Sequence, residues 1–427
     1  MSTSVTTTAP SRLGYASHLS CRECGHSYPI GSGHACAECF GPLEVAYDLP
    51  SLSRESIEAG PQNLWRYASL LPVPPDVADR PNTEPGWTRL VRADQLARAI
   101  GVRTLWIKDE RSNPTHSFKD RVVAVALAAA VELGFKVLAC PSTGNLAHAV
   151  AAAAARAGIH SVVLVPADLE PQKIIATAVH GGALVAVDGS YDDVNRLASE
   201  LADDREDWAF VNVNVRPYYA EGSKTIGYEI AEQLGWRLPQ QIVVPVASGA
   251  QLVKIDKAFR EFTELGLVPG TDCRVYGAQA TGCSPVAAAF RAGHDVVQPV
   301  RPATVAKSLA IGNPADGPYV LDVVRRSGGA VADVSDDEIV AAIRLPASTE
   351  GIFGETAGGV TLAVLRKLLA AGQIDPDAET VIINSGDGLK TLDAVAGTIG
   401  GLTPIRPTLA AFEAAEEAAL AREAGRA

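Results

Sequence analysis

From residue 104 onward the chain alternates short, almost wholly apolar runs with longer stretches whose apolar residues return every three or four positions. TLWIKDE, KVLACPS, SVVLVPA, ALVAVDG, QIVVPVA, CRVYGAQA and TVIINSG are of the first kind and predict strands. Residues 117–133, NLAHAVAAAAARAG and residues 171–180 are of the second kind and predict helices. Strands this apolar are buried on both faces, as in parallel sheets covered by helices. The alternation predicts an α/β protein with mainly parallel sheets, and the number of units predicts two α/β domains. In such sheets ligands bind at the carboxyl ends of the strands.

The flanking segments read differently. Residues 1–17 are rich in Ser and Thr and predict a disordered tail; residues 50–85 carry many prolines and predict a linker with a short helix around Asn63 to Leu70. The Ala/Glu-rich end, residues 406–427, predicts a surface helix or frayed tail, and no internal repeat is present.

Composition narrows the class. The 427 residues are 47% hydrophobic and 20% charged, ordinary for a folded chain long enough for two or three domains. Thirty-seven basic against 49 acidic side chains give a formal charge of −12, which opposes nonspecific attraction to nucleic acid or anionic membranes. An anionic ligand must therefore meet a local site. No apolar run approaches the roughly 18 residues that span a bilayer, and MSTSVTTTAP carries neither a charged nor an apolar leader region, so a cytoplasmic location is expected. Seven cysteines without a leader point to thiols or metal ligands and not to a disulfide framework.

Four of the seven lie in CRECGHSYPIGSGHACAECFGPLEV. Cys21, Cys24, Cys36 and Cys39 form two CxxC pairs, and Gly25 and Gly41 follow them where metal knuckles need permissive backbone. Residues 18–50 are read as a zinc ribbon, with His26 and His34 as bystanders. The segment lacks clustered Lys and Arg on an acidic protein, so a structural clip is expected and not a nucleic-acid reader.

The stretch SNPTHSFKDR places Lys119 at the mouth of a helix whose next residues, Val122 to Leu127, are apolar. A helix that apolar is buried, and its first lysine stands at the edge of the interior. In general, an amine that loses water disfavours its charged form and attacks an aldehyde more readily, giving a Schiff base. Three strand ends could build the rest of a site. PSTGN offers Ser142, Thr143, Gly144 and Asn145 at a helix start; VPVASGAQL offers the small residues Ala247 to Gln251, where backbone N–H groups could converge on a phosphate; INSGDGLK offers Ser385, Gly386, Asp387 and Gly388.

Taken in order, SNPTHSFKDR, PSTGN, RPYYAEGSKT, KSLAIGNP, ETAGG and SGDGLK resemble the threonine synthases of the pyridoxal-phosphate fold-type II class, over roughly residues 18 to 400. The resemblance implies a tryptophan synthase β-like fold, with residues 51–115 and 216–405 as a large cofactor-binding domain and 116–215 as a small mobile one. It implies that Lys119 carries pyridoxal 5'-phosphate with Phe118 beside it, and that Asn145 holds the ring's phenolic oxygen. Ala247, Ser248, Gly249, Ala250 and Gln251 would hold the cofactor phosphate, and Ser385 would face the pyridine nitrogen as a donor. The turn ASGAQ departs from the family's glycine- and asparagine-rich form, so backbone donation must suffice; Ser385 replaces the more common threonine. Asp387 is expected to point elsewhere, Glu355 either to line the pocket or to cap the next helix, and His148 to be packed or at the surface.

The same resemblance implies conversion of O-phospho-L-homoserine and water to L-threonine and phosphate in a homodimer. For the substrate's own phosphate and carboxylate the candidates are Ser142, Thr143, Arg216, Lys224, Lys307 and Asn313, with Arg216 favoured for its bidentate fork. The alternatives are a deaminase of serine or threonine, a cysteate synthase-like enzyme replacing a β-substituent, and a noncatalytic zinc-ribbon adaptor.

Overall fold

The computed structural model describes residues 12–167, 171–189, 191–270, 272–398 and 404–424. Its strands are β1 (Ala16–Cys21), β2 (Ser27–Tyr28), β3 (Leu43–Tyr47), β4 (Arg89–Arg92), β5 (Leu105–Asp109), β6 (Val137–Pro141) and β7 (His160–Pro166). They continue with β8 (Ala183–Val187), β9 (Trp208–Phe210), β10 (Gln241–Pro245), β11 (Arg274–Ala280), β12 (Val331–Val334) and β13 (Thr380–Asn384).

A six-stranded sheet has the order β12-β11-β10-β13-β5-β4 and a four-stranded sheet the order β8-β7-β6-β9. Only β4, on the edge of the first, runs antiparallel to its neighbour. The central strands β10 and β13 are buried at every residue, as their unbroken apolar sequences require. The chain leaves the larger sheet after β5, builds the smaller one from β6 to β9, and returns at β10. Both crossings carry helices: Lys119–Glu132 on the way out, Arg216–Glu221 and Lys224–Gln233 on the way back. Ten residues of the outgoing helix are buried, among them Val122, Val123 and Val125, each of which contributes about 1.5–3 kcal/mol on leaving water.

Strands β1, β2 and β3 form a separate antiparallel sheet, and its apolar residues Leu19, Leu43 and Val45 share one core cluster with Val122, Ala149 and Tyr218. The ribbon is therefore fused to the body. Residues 1–11 of the expected tail lie outside the described residues; of residues 12–17, which were expected to belong to it, Leu13 and Ala16 are each 1% exposed and β1 starts at Ala16, so this part is packed. Apolar side chains with a core beside them pack, whatever the Ser/Thr content before them. The proline-rich linker contains a 3-10 helix at Leu64–Leu70, capped by the Asn63 side-chain Oδ1 accepting the Trp65 N–H at 2.9 Å. Residues 391–427 form a separate unit, containing the helices Asp393–Ala396 and Leu409–Ala424. Among the described residues no helix is long and apolar enough to cross a membrane.

Candidate active site

Three backbone segments are stitched together where β5 and β13 end. Phe118 N–H donates to the Ser385 carbonyl and Asp387 N–H to the His116 carbonyl, each at 3.0 Å, while Glu355 N–H donates to the Gly386 carbonyl at 3.0 Å. These bonds put Lys119, Ser385 and Glu355 side by side although 236 residues separate Lys119 from Glu355 in sequence (355 − 119).

Lys119 is half-buried at the first turn of its helix. Its Nζ donates to the Tyr219 hydroxyl at 2.8 Å and lies 4.7 Å from the centre of the Phe118 ring. Beside it, the Glu355 carboxylate takes the Asn145 amide on Oε2 and the Ser385 hydroxyl on Oε1, both at 2.8 Å. Lys390 Nζ donates to Asn145 Oδ1 at 2.9 Å. Burial pushes the Lys390 ammonium down, against the charges of Glu355, Asp120 and Asp387. Burial likewise raises the Asp120 carboxyl to about 6, outweighing the two hydrogen bonds it accepts from Thr115.

The turn after β10 enters the fifteen-residue helix Ala250–Glu264, whose first N–H groups have no intrahelical acceptor. Gly249 has φ +99°, and a Cβ there would come within 2.7 Å of Val320, so the position requires glycine. Gln251 is buried and its Nε2 has no partner. Unspent N–H groups at a helix start, with an orphaned amide among them, suit an anion.

Residues 82–386 match the family of pyridoxal-phosphate dependent enzymes. Threonine synthase of Methanosarcina acetivorans is 38% identical over 378 residues, covering 87% of this chain and 92% of that protein. Threonine synthase of Methanocaldococcus jannaschii is 37% identical over 380 residues, covering 88% and 93%. This chain belongs to the threonine synthase family. Its fold is that of the wider class: processed threonine deaminase isoform 2 of Solanum lycopersicum superposes with a TM-score of 0.61 at 22% identity, covering 74% of this chain and 88% of that one.

The structure brings the segments bearing Lys119, Phe118, Asn145 and Ser385 together, and it places Ala247 to Gly249 on the turn after β10 with Ala250 and Gln251 opening the helix that follows. Glu355 occupies the N-cap position of the helix Thr356–Ala370, but its side chain makes no capping bond and is spent on Asn145 and Ser385. Asp387 points elsewhere, its Oδ1 accepting the Leu389 N–H at 2.9 Å. Ser385 spends its only proton on Glu355, so donating to a ring nitrogen requires that bond to be given up. His148 is half-buried, and burial followed by the Lys390 charge lowers it to about 4, in keeping with a packed neutral ring.

Lys224 is a correction. It is fully buried, with Nζ bonded to the Leu70 carbonyl at 2.7 Å, to Glu221 at 2.8 Å and to Glu261 at 3.1 Å, so no donor remains for a substrate. Ser142 and Thr143 precede Asn145 on its turn, Arg216 is paired with Asp316 at 2.5 Å, and Lys307 and Asn313 are exposed. Among the described residues no side-chain hydrogen bond joins these five to the set around Lys119. Tyr219 and Lys390 were overlooked in the sequence, although both sit inside the motifs RPYYAEGSKT and SGDGLK. The signal was there: a hydroxyl and an amine in stretches already singled out.

Proposed function

We propose that this chain releases phosphate from O-phospho-L-homoserine and adds water to give L-threonine, with pyridoxal 5'-phosphate on Lys119. The observation that carries the reading is the Lys119 amine held by Tyr219 beside Asn145, Glu355 and Ser385, in a chain 38% identical to a threonine synthase over nearly its whole length. The residues fit the cofactor: a half-buried lysine for its aldehyde, and a helix start with an orphaned Gln251 amide for its phosphate.

When bound, pyridoxal phosphate supplies an electron sink for the carbanions formed as the α-proton and then the β-proton leave. Lys119 Nζ takes and returns those protons, with Tyr219 fixing where the nitrogen sits. Phe118 walls one side of Nζ and keeps water from it. Asn145 and Ser385 orient the ring, with Glu355 holding both. Ser142, Thr143, Arg216, Lys307 and Asn313 are proposed to receive the substrate's anionic groups, Arg216 with the guanidinium N–H groups outside its Nη2–Asp316 bond.

Cys21, Cys24, Cys36 and Cys39 are proposed to hold a structural zinc. Their sulfurs all lie within 4.8 Å of one another, with Cys21 and Cys39 at 3.4 Å and Cys24 and Cys36 at 3.7 Å. A tetrahedron with zinc–sulfur bonds of about 2.3 Å has edges of about 3.8 Å, so the donor set fits. The expected assembly is a cytoplasmic homodimer, which sedimentation of the purified protein tests.

The deciding assay gives the purified chain O-phospho-L-homoserine and measures phosphate and threonine together, with Lys119→Ala as control. Equal release of both, absent in the variant, supports the assignment. A yellow protein that releases neither, but deaminates serine or threonine or turns over O-phosphoserine with sulfite, overturns it.

A further inference from the structure

Beside the turn after β10, one acidic residue makes a backbone contact and two carboxylate contacts. Asp316 donates its N–H to the Ser248 carbonyl at 2.8 Å, pairs through Oδ2 with Arg216 at 2.5 Å, and meets Arg22 Nη1 through Oδ1 at 3.5 Å. Its side chain is 7% exposed. A Cβ on Gly249 would lie 3.0 Å from the Asp316 Cβ, so the turn and the start of the helix Gly317–Arg326 are shaped against each other.

Arg22 and Glu23 are the two residues between Cys21 and Cys24. The Arg22 guanidinium lies 3.5 Å from the centre of the Tyr319 ring, and the Tyr319 hydroxyl donates to the Glu23 carboxylate. Tyr319 is in the first turn of the helix that Asp316 precedes. Both residues inside the knuckle therefore grip the segment that abuts the turn.

We propose that Arg22 is a positioning residue for the phosphate of the cofactor, through which the metal-bound ribbon sets cofactor affinity. The proposal rests on the readings above of residues 247–251 as the phosphate turn and of the four cysteines as a metal site. Two physical effects converge. A metal that pins Cys21 and Cys24 removes backbone freedom from the residues between them, so Arg22 and Glu23 meet Tyr319 and Asp316 already ordered. Arg22 and Arg216 also occupy both oxygens of Asp316. A carboxylate released from them would compete for the N–H groups at the helix start and would repel a phosphate placed there.

The test compares binding of pyridoxal 5'-phosphate with binding of pyridoxal, which lacks the phosphate, followed by absorbance in the full-length protein with zinc content measured alongside. Arg22→Met is expected to weaken pyridoxal phosphate about tenfold, the scale of one coupled interaction, and to leave pyridoxal unchanged. Arg22→Lys should recover part of that loss. Chelating the metal from the wild type should reproduce the loss and add little in Arg22→Met. Unchanged affinity for both aldehydes in a zinc-loaded Arg22→Met overturns the proposal, as does an equal loss for both, which marks general destabilisation. Ser248→Asp separates the underlying reading: it should weaken pyridoxal phosphate alone whatever happens at Arg22, and if it does not, the phosphate turn lies elsewhere and the proposal falls with it.

Discussion

Lys119 and Arg121 stand two residues apart on one helix, where such a spacing turns side chains to opposite sides. Behind the helix, Arg121 is fully buried and its fork is filled by Glu110 at 2.6 and 2.9 Å, Glu229 at 2.5 and 2.7 Å, and the hydroxyls of Thr88 and Thr225 at 3.0 Å. Lys108, also fully buried, spends its donors on Glu229, the Thr88 carbonyl and Gln233. Burial raises Glu229, but Arg121 and Lys108 overcome it and hold the carboxyl at about 2. On the cleft side, Lys119 Nζ has one hydrogen-bond partner among the described residues, the hydroxyl of Tyr219. The first group of charges is closed; the second is left open, with donors to spend on a ligand. Lys224 belongs to the first kind.

The contrast is sharpest in a pair of substitutions. Lys119→Ala should abolish product release, a fall of about a thousandfold or more for loss of a proton-transfer group, and leave the unfolding midpoint of the cofactor-free protein within a degree or two. Arg121→Met should do the reverse at first order, costing about 3–5 kcal/mol of stability because Glu110 loses its buried cation and Glu229 keeps only that of Lys108. Urea unfolding and a turnover assay on both proteins decide the matter. If Lys119→Ala unfolds as readily as Arg121→Met, the open site is also a structural one and the division fails.

That division also explains what could be read from the sequence. The strand–helix alternation was legible because parallel strands are apolar throughout: QIVVPVA holds β10 and TVIINSG holds β13. Edge strand β4, RLVR, was invisible because a half-exposed strand has no such pattern, and the buried β9 because three residues are too few to show one. Asn145 and Ser385 stood out at strand ends and Lys119 at the mouth of a helix, and the structure brings their segments together. Lys224 was misread because a motif gives a residue's address but not its partners, and only Glu221 of its two carboxylates is near in sequence. The same holds for Glu355, whose contacts with Asn145 and Ser385 come from distant segments.

Asp120, between the two residues compared, tests the boundary with pH. Burial raises its carboxyl from 3.8 to about 6. Below about pH 3.8 both folded and unfolded states hold the proton and nothing depends on it. Between about 4 and 6 the unfolded chain has lost the proton that the folded chain keeps, so stability falls as pH rises, by about 3 kcal/mol in all. Asp120→Asn removes that slope. Unfolding of both proteins at pH values from 4 to 7 should show the wild type losing ground to the variant as pH rises. A difference that stays flat, or reverses, would place Asp120 with the closed charges.

The smallest effect is expected at Lys390, where the site borrows a fixed contact. Its ammonium on Asn145 Oδ1 and the Glu355 carboxylate on Asn145 Nδ2 set the amide the same way round, leaving one N–H of Nδ2 for the cleft. Lys390→Met keeps the stem and removes one of the two constraints. Glu355 alone still disfavours the flipped amide, since that would set two oxygens against each other. The loss is then about 1 kcal/mol, or about fivefold weaker binding of pyridoxal phosphate, with little change in the unfolding midpoint. A loss of turnover as deep as that of Lys119→Ala would instead make Lys390 a second working amine, and the open set would have two reactive centres.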